Sequence, residues 1–328
     1  MLTRRSLSFY VLIDSLQDDL LGVQLAVCFA DFSRGGTTMN LVVGATGLLG
    51  GEICRLLAAK AKPVRAMVRP TSDASKVAQL EPLGVEIVRG DLKNRSSLDA
   101  VCWGVSAVIS TASSTLSRQE GDSIQTVDLE GQLNLIDAAK AADVDHFVLI
   151  SFPPTDFSFP LQTAKRTVEE HLKESGITYT ILQPTCFMEV WLAPALGFDA
   201  GNAQAQIYGS GENKISWISY KDVGKFAVAS LDKVEAHNAV IELGGPEALS
   251  PLEVVRIFEE SKGRKFGVQH VPEEALMRQK ETASDPLQQS FAALMLYYSQ
   301  GNVIDMQDTL RKFPLQLTSV RDYAQTSV

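Results

Sequence analysis

Cysteine and histidine are scarce in this sequence, four of each in 328 residues. Cys28, Cys54, Cys102 and Cys186 stand far apart, with no Cys-x-x-Cys pair and no histidine at ligand spacing. Neither a zinc site nor a disulfide framework is expected, and free thiols in a reducing compartment are. His146, His171, His237 and His270 are equally dispersed. Positive charge is in the minority: 30 basic residues face 39 acidic ones, a net charge of -9, and no basic cluster exceeds a pair. Direct nucleic-acid binding draws on a basic stripe and is therefore not expected. Leu20–Ala30 is apolar but too short to cross a bilayer, so no membrane span is expected. Asp14, Asp18 and Asp19 before it spoil the positive lead of a signal peptide.

What is present is a rhythm that begins at Met39. Short β-branched runs (Leu41–Val43, Val64–Val68, Val85–Val88, Ala107–Ile109, Phe147–Ile150, Thr178–Leu182) alternate with segments of helical period. Helices are expected at Leu48–Ala59, Asp73–Leu80, Ser96–Val101, Ile124–Ala142 and Leu161–Ser175. Strand and helix in strict alternation predict an α/β fold, a Rossmann-type doubly wound parallel sheet with helices on both faces. After Pro184 the rhythm breaks into a glycine-rich stretch. Strands are expected near Ala205–Tyr208, Lys214–Ile218, Ala239–Leu243 and Phe266–His270, with helices at Tyr220–Leu231, after Ser250 and at the end. The organisation expected is an extension over residues 1–38 outside the fold, a nucleotide-binding domain over 39–184, and a smaller substrate lobe over 185–328 packed on it.

The strongest motif is Met39-Asn-Leu-Val-Val-Gly44-Ala-Thr46-Gly47-Leu48-Leu49-Gly50. A strand enters a glycine-rich turn and leaves it as a helix. Gly44 permits the tight turn, Gly47 lets backbone approach a diphosphate, and Gly50 lets the helix pack closely. The amides of Leu48, Leu49 and Gly50 open the helix and favour an anion, and Thr46 adds a hydroxyl. At the end of the second strand, where a cofactor lacking the 2′-phosphate would meet an acid, stands Arg69; the first acid beyond is Asp73. A guanidinium there suits a ribose 2′-phosphate, with Lys76 in support, so the expected cofactor is NADP(H). Asp91 and Leu92 follow the third strand, Ser110 and Thr111 end the fourth, and Ser151 ends the fifth, all at the edge where open α/β sheets bind ligands.

Beside the glycine turn, Asp145-His-Phe-Val-Leu-Ile-Ser151, Ala164-Lys165-Arg-Thr-Val-Glu169, Tyr179-Thr-Ile-Leu-Gln-Pro184-Thr-Cys-Phe187 and Trp217-Ile-Ser-Tyr220-Lys-Asp222 complete a pattern. From Met39 to the C-terminus the chain resembles the atypical short-chain dehydrogenases, in particular their NmrA-like and isoflavone-reductase-like branch. The resemblance implies a lysine on the fifth helix in an acid/base or ribose-orienting role, here Lys165. It also implies that Pro184 and Phe187 lie against the nicotinamide. The chain departs from the superfamily's Tyr-x-x-x-Lys pair, because Leu161 stands four residues before Lys165 and cannot transfer a proton. A plainer reading makes Lys165–Glu169 and Arg166–Glu170 helix-surface pairs. Met188, Trp191, Leu192 and Trp217 are candidates to line an apolar substrate cavity.

The expected function is NADPH-dependent reduction of a small hydrophobic acceptor of quinone, enone or aromatic type, with Lys165 and Ser151 as catalytic candidates and no metal. The alternative is a non-catalytic NADP(H)-binding sensor, regulator or assembly factor with a protein partner, which the missing tyrosine favours. Sugar-nucleotide epimerases share the turn but keep the tyrosine and rank last. A monomer or homodimer is expected. The expected location is the cytoplasm, or an organellar stroma if residues 1–38 are a cleaved targeting segment.

Overall fold

The computed structural model describes residues 38–116 and 118–326. The extension expected over residues 1–38, Cys28 included, lies outside the described residues but for Thr38.

From Asn40 the chain lays down β1 (Asn40–Val43), α1 (Leu48–Ala59), β2 (Val64–Val68), α2 (Ala74–Ala78), β3 (Glu86–Arg89), α3 (Arg95–Cys102) and β4 (Ala107–Ser110). It continues as α4 (Glu130–Ala141), β5 (His146–Ile150), α5 (Pro160–Glu174) and β6 (Thr178–Pro184). Both faces of the sheet carry helices, so β1 and β4 are buried along their whole length and consist almost entirely of apolar residues. The expected helix over Ile124–Ala142 is in two parts: a π-helical turn, Ile124–Leu129, precedes α4. Ser123 opens that turn with a reciprocal cap on Thr126.

The expected split at Pro184 does not describe the path of the chain. After α6 (Met188–Trp191), β7 (Phe198–Asp199) and β8 (Gln204–Tyr208), α7 (Tyr220–Ser230) packs on α1, and β9 (Ala239–Leu243) pairs with β6 as a seventh parallel strand. A five-residue strand such as Ala-Val-Ile-Glu-Leu carries no local sign of which sheet it will join, and the packing of α7 on α1 brings it back to the edge of this one. The sheet order is β3-β2-β1-β4-β5-β6-β9, with the switch in direction between β1 and β4.

The lobe comprises β7 and β8 together with α8 (Pro251–Lys262), β10 (Gly267–Val271), α9 (Glu273–Thr282) and α10 (Pro286–Gln300). α11 (Gln307–Lys312) and α12 (Val320–Thr326) close the described chain. The expected strand at Lys214–Ile218 supplies only isolated bridges, Ile215 to Leu249 and Asn302 and Ile218 to Phe187. Four apolar cores hold these layers, the smallest of them (Ile124, Phe159, Leu161, Leu287, Ala293) between α5 and α10. Ile53, Leu57, Val223 and Phe226 fill one sheet face, Leu98, Leu135, Val168 and Leu172 the other, and Trp217, Phe198, Phe258 and Tyr298 the lobe. Each such side chain contributes about 1.5–3 kcal/mol on leaving water.

Candidate active site

A cleft of about 800 Å³ runs along the carboxyl ends of the strands and under the lobe. Its floor is the glycine turn. Gly44 has φ +88°, and a Cβ there would lie 2.5 Å from Thr111 Oγ1. A Cβ on Gly50 would lie 2.2 Å from the Gly44 carbonyl oxygen, so only glycine lets α1 begin this close to the turn. Gly47 precedes the helix as its cap and offers no side chain to its first amides. Its opening amides are therefore left for a ligand, at the positive end of the helix dipole.

At the β2 end, Arg69 lines the cleft and its Nη1 donates to Asp122 Oδ2 at 2.5 Å. Lys93 Nζ reaches the other oxygen at 2.6 Å, and the Gln119 amide donates to Oδ2 at 2.9 Å. Burial opposes the charge on Asp122, but Lys93, the Gln119 amide and Arg69 together hold its carboxyl below the usual carboxylate range. Asp73 is taken up in capping α2, accepting from the Ser75 amide at 2.8 Å, and does not line the cleft. Asp91 does line it, while its Oδ1 accepts the Lys93 amide at 2.9 Å in a local turn.

The other end is built on α5, whose apolar stripe of Leu161, Ala164, Val168 and Leu172 faces inward. Lys165 lies in that stripe, 5% exposed, and reaches the cleft. The surface pairing of Lys165 with Glu169 does not form. Glu169 is bonded instead by Arg166 at 2.8 Å and by Gln183 Nε2 at 3.1 Å, and Glu170 pairs with Lys173. The carboxylate facing Lys165 is Asp128, in the π-helical turn, with Nζ and Oδ1 3.8 Å apart. Ser151 lines the cleft too, but its hydroxyl already accepts from Arg166 Nη2 at 3.0 Å.

The structure brings together on this cleft Gly44, Thr46, Gly47, Leu48, Leu49, Gly50, Arg69, Lys76, Asp91, Leu92, Thr111, Ser151, Lys165, Pro184 and Phe187. Ser110 is not among them. It is buried, and its hydroxyl donates to Gln132 Oε1 at 2.8 Å beneath α4. Of the four apolar candidates only Trp191 lines the cleft; Met188, Leu192 and Trp217 fill the lobe core. Sequence reasoning missed Phe152 and the α10 face of Phe291, Leu294 and Met295, whose i, i+3, i+4 spacing marked an apolar stripe without saying what it would face. It also missed Asp122 and Asp128, which carry no local signal. Tyr220 lines the cleft, whereas Tyr208 is packed in the lobe core. Cys186 lines it as well, but burial pushes its thiol far above the ordinary range, so it stays neutral. Among the described residues no cluster suited to a metal occurs, and no helix is long and apolar enough to cross a membrane.

A model of the NmrA-like family matches residues 37–324. An NAD(P)H azoreductase of Xenophilus azovorans is 34% identical over 229 residues, 69% of this chain and 74% of that protein. The photosystem II assembly factor Ycf39 of Trieres chinensis is 30% identical over 239 residues, 71% of this chain and 72% of its own. Among solved structures, an NADPH-dependent quinone oxidoreductase of Escherichia coli complexed with NADPH superposes with a TM-score of 0.70 at 23% identity. That match covers 88% of this chain and 98% of the other.

Proposed function

The chain belongs to the NmrA-like family, and from that premise we propose that it is an NADPH-dependent reductase of a neutral, flat acceptor such as a quinone or enone, with Lys165 as proton donor. The observation that carries this reading is the distribution of charge along the cleft. Beyond Val127 in the sequence, Lys165 is the only charged side chain among the described residues that lines it, in company with Phe152, Leu161, Trp191, Phe291 and Leu294. A largely apolar chamber with one cation suits a neutral ligand whose few polar atoms are hydrogen-bond acceptors.

The residues fit the cofactor. The glycine cradle and uncapped helix start suit its diphosphate, and Arg69 with Lys76 suits its 2′-phosphate. Kinship with an NAD(P)H azoreductase supports a nicotinamide dinucleotide here. When bound, NADPH supplies a hydride. Lys165 Nζ then orients the acceptor oxygen by a hydrogen bond and gives it a proton. Pro184 and Phe187 add apolar surface to the same cleft, where fewer waters compete for the reacting atoms. Leu161, where the superfamily keeps a tyrosine, adds only bulk.

The test is oxidation of NADPH by the purified chain with a naphthoquinone and a simple enone, beside Lys165→Ala. Turnover is expected, and Lys165→Ala should lower kcat by about 100-fold, the scale of a lost general acid, with NADPH still bound. Protein that binds NADPH but oxidises it with no member of the panel would overturn the reading. An unchanged Lys165→Ala would remove the residue assignment alone.

A second reading, a non-catalytic NADP(H)-binding assembly factor, draws on Leu161 in place of a tyrosine and on kinship with a photosystem II assembly factor. It expects a stable protein partner on co-purification and no turnover.

A further inference from the structure

We propose that Asp128 is a positioning residue: its carboxylate holds the Lys165 ammonium against the wall of the cleft, where it can meet an acceptor. The inference rests on the role given to Lys165 above and adds the group that makes that role possible.

Asp128 is completely buried, yet its two oxygens are in different situations. Oδ2 takes the Ser114 amide at 3.0 Å and the Ser114 hydroxyl at 2.5 Å. Oδ1 is sealed from solvent and accepts no hydrogen bond. Lys165 Nζ, 3.8 Å from it, is the one cation within ion-pair reach of Asp128 among the described residues. A buried carboxylate is costly without a counter-charge, and one left with an open lone pair more so. Tethering Ser114 does not need that charge, since a neutral amide oxygen accepts the same two bonds. The negative charge has a use only toward Lys165.

The backbone is shaped for the encounter. Asp128 lies in the π-helical turn Ile124–Leu129, which packs directly on α5. Such turns are rare and concentrate at functional sites. Ser114 follows Thr111, Ala112 and Ser113, which line the cleft. One carboxylate therefore ties the loop under the ligand to the lysine beside it. At 3.8 Å the ammonium is attracted without being hydrogen-bonded, and its protons stay available to a ligand.

The test is a double-mutant cycle of Asp128→Asn and Lys165→Ala, read by NADPH oxidation with a naphthoquinone, by NADPH titration and by thermal unfolding. Asp128→Asn keeps an oxygen for the two Ser114 donors and turns its neutral amide nitrogen toward Lys165 in place of the charged oxygen. It should fold, bind NADPH within about twofold of the unsubstituted chain, and lose on the order of tenfold in kcat with KM little changed. In the Lys165→Ala background the same substitution should have no further effect on kcat. Wild-type turnover by Asp128→Asn, or losses that simply multiply, would overturn the inference while leaving Lys165 in place. Wild-type turnover by Lys165→Ala, or none by the unsubstituted chain, would bring down the premise and the inference with it. If Asp128→Asn unfolds, Asp128→Glu decides: restored folding with restored kcat supports positioning, and restored folding with kcat still at the Lys165→Ala level refutes it.

Discussion

Arg69 and Asp122 meet at the β2 end of the cleft, Nη1 to Oδ2 at 2.5 Å, although 53 residues separate them. The Asp122 side chain is 1% exposed and is shared with Lys93, so the pair fastens the loop before the π-helical turn to the end of β2. One cation of this corner thus already has a carboxylate, and a 2′-phosphate must compete with it for the guanidinium. Arg69→Ala should weaken NADPH binding by about 2 kcal/mol, some thirtyfold, the scale of a charge-assisted bond, while NADH binding changes little. Calorimetric titration of both cofactors checks this, and equal losses for the two would show that Arg69 does not read the phosphate.

The glycine turn predicts two opposite outcomes one residue apart. Gly50→Ala places a methyl 2.2 Å from the Gly44 carbonyl, where only backbone movement relieves it. It should abolish NADPH binding and lower the melting temperature. Gly51→Ala meets nothing closer than the Ala45 carbonyl at 3.4 Å, an ordinary contact. It should bind normally and gain about 0.5–1 kcal/mol from helix propensity. Thermal unfolding with and without NADPH separates the two.

The turn was legible in the sequence because its causes are contiguous: strand, glycines and helix fall within Met39–Ala59, and each residue type answers to a local constraint. The same holds for α1, whose bounds coincide with those expected. Ser110 was misplaced for want of register. A hydroxyl at the end of β4 can face the ligand edge or the helix layer, and it faces Gln132. Met188, Leu192 and Trp217 were misplaced because an apolar side chain reads the same whether it lines a cavity or fills a core. Asp122 and Asp128 were invisible because their partners lie on other elements, 53 and 37 residues away in sequence (69 to 122, 128 to 165). β9 was seen as a strand, but its place beside β6 depends on the return of α7, which no short window contains.

Asp222 predicts the stability of the C-terminal segment. It is fully buried at the start of α7, where Oδ1 accepts from Lys225 at 2.6 Å and Oδ2 from the Thr318 amide at 2.7 Å. Lys225 continues to the Gln316 carbonyl at 3.1 Å. Asp222→Asn turns an amide donor toward one of these two donors and leaves it unsatisfied, a cost of about 1–3 kcal/mol. Hydrogen exchange should quicken at Thr318 and its neighbours more than in β1 or β4. Uniform quickening would show that the segment is not held locally.

His146 predicts how stability depends on pH. Its Nε2 lies 2.9 Å from Thr180 Oγ1, whose own proton goes to the Ala236 carbonyl at 2.7 Å, so the imidazole nitrogen is the donor. Burial, and then the His237 ring whose centroid is 5.3 Å away, lower the His146 pKa from 6.5 to about 4. The folded state therefore prefers the neutral ring. Above pH 6.5 both states leave it neutral and the contribution is complete. Between 6.5 and 4 the unfolded chain binds the proton and the folded one does not, so stability falls as pH falls. At about 1.4 kcal/mol per pKa unit the loss approaches 3 kcal/mol by pH 4. His146→Gln keeps a donor for Thr180 and cannot titrate. Its stability should decline less than that of the unsubstituted chain over this window in urea titrations at several pH values, and parallel curves would remove His146 as the cause.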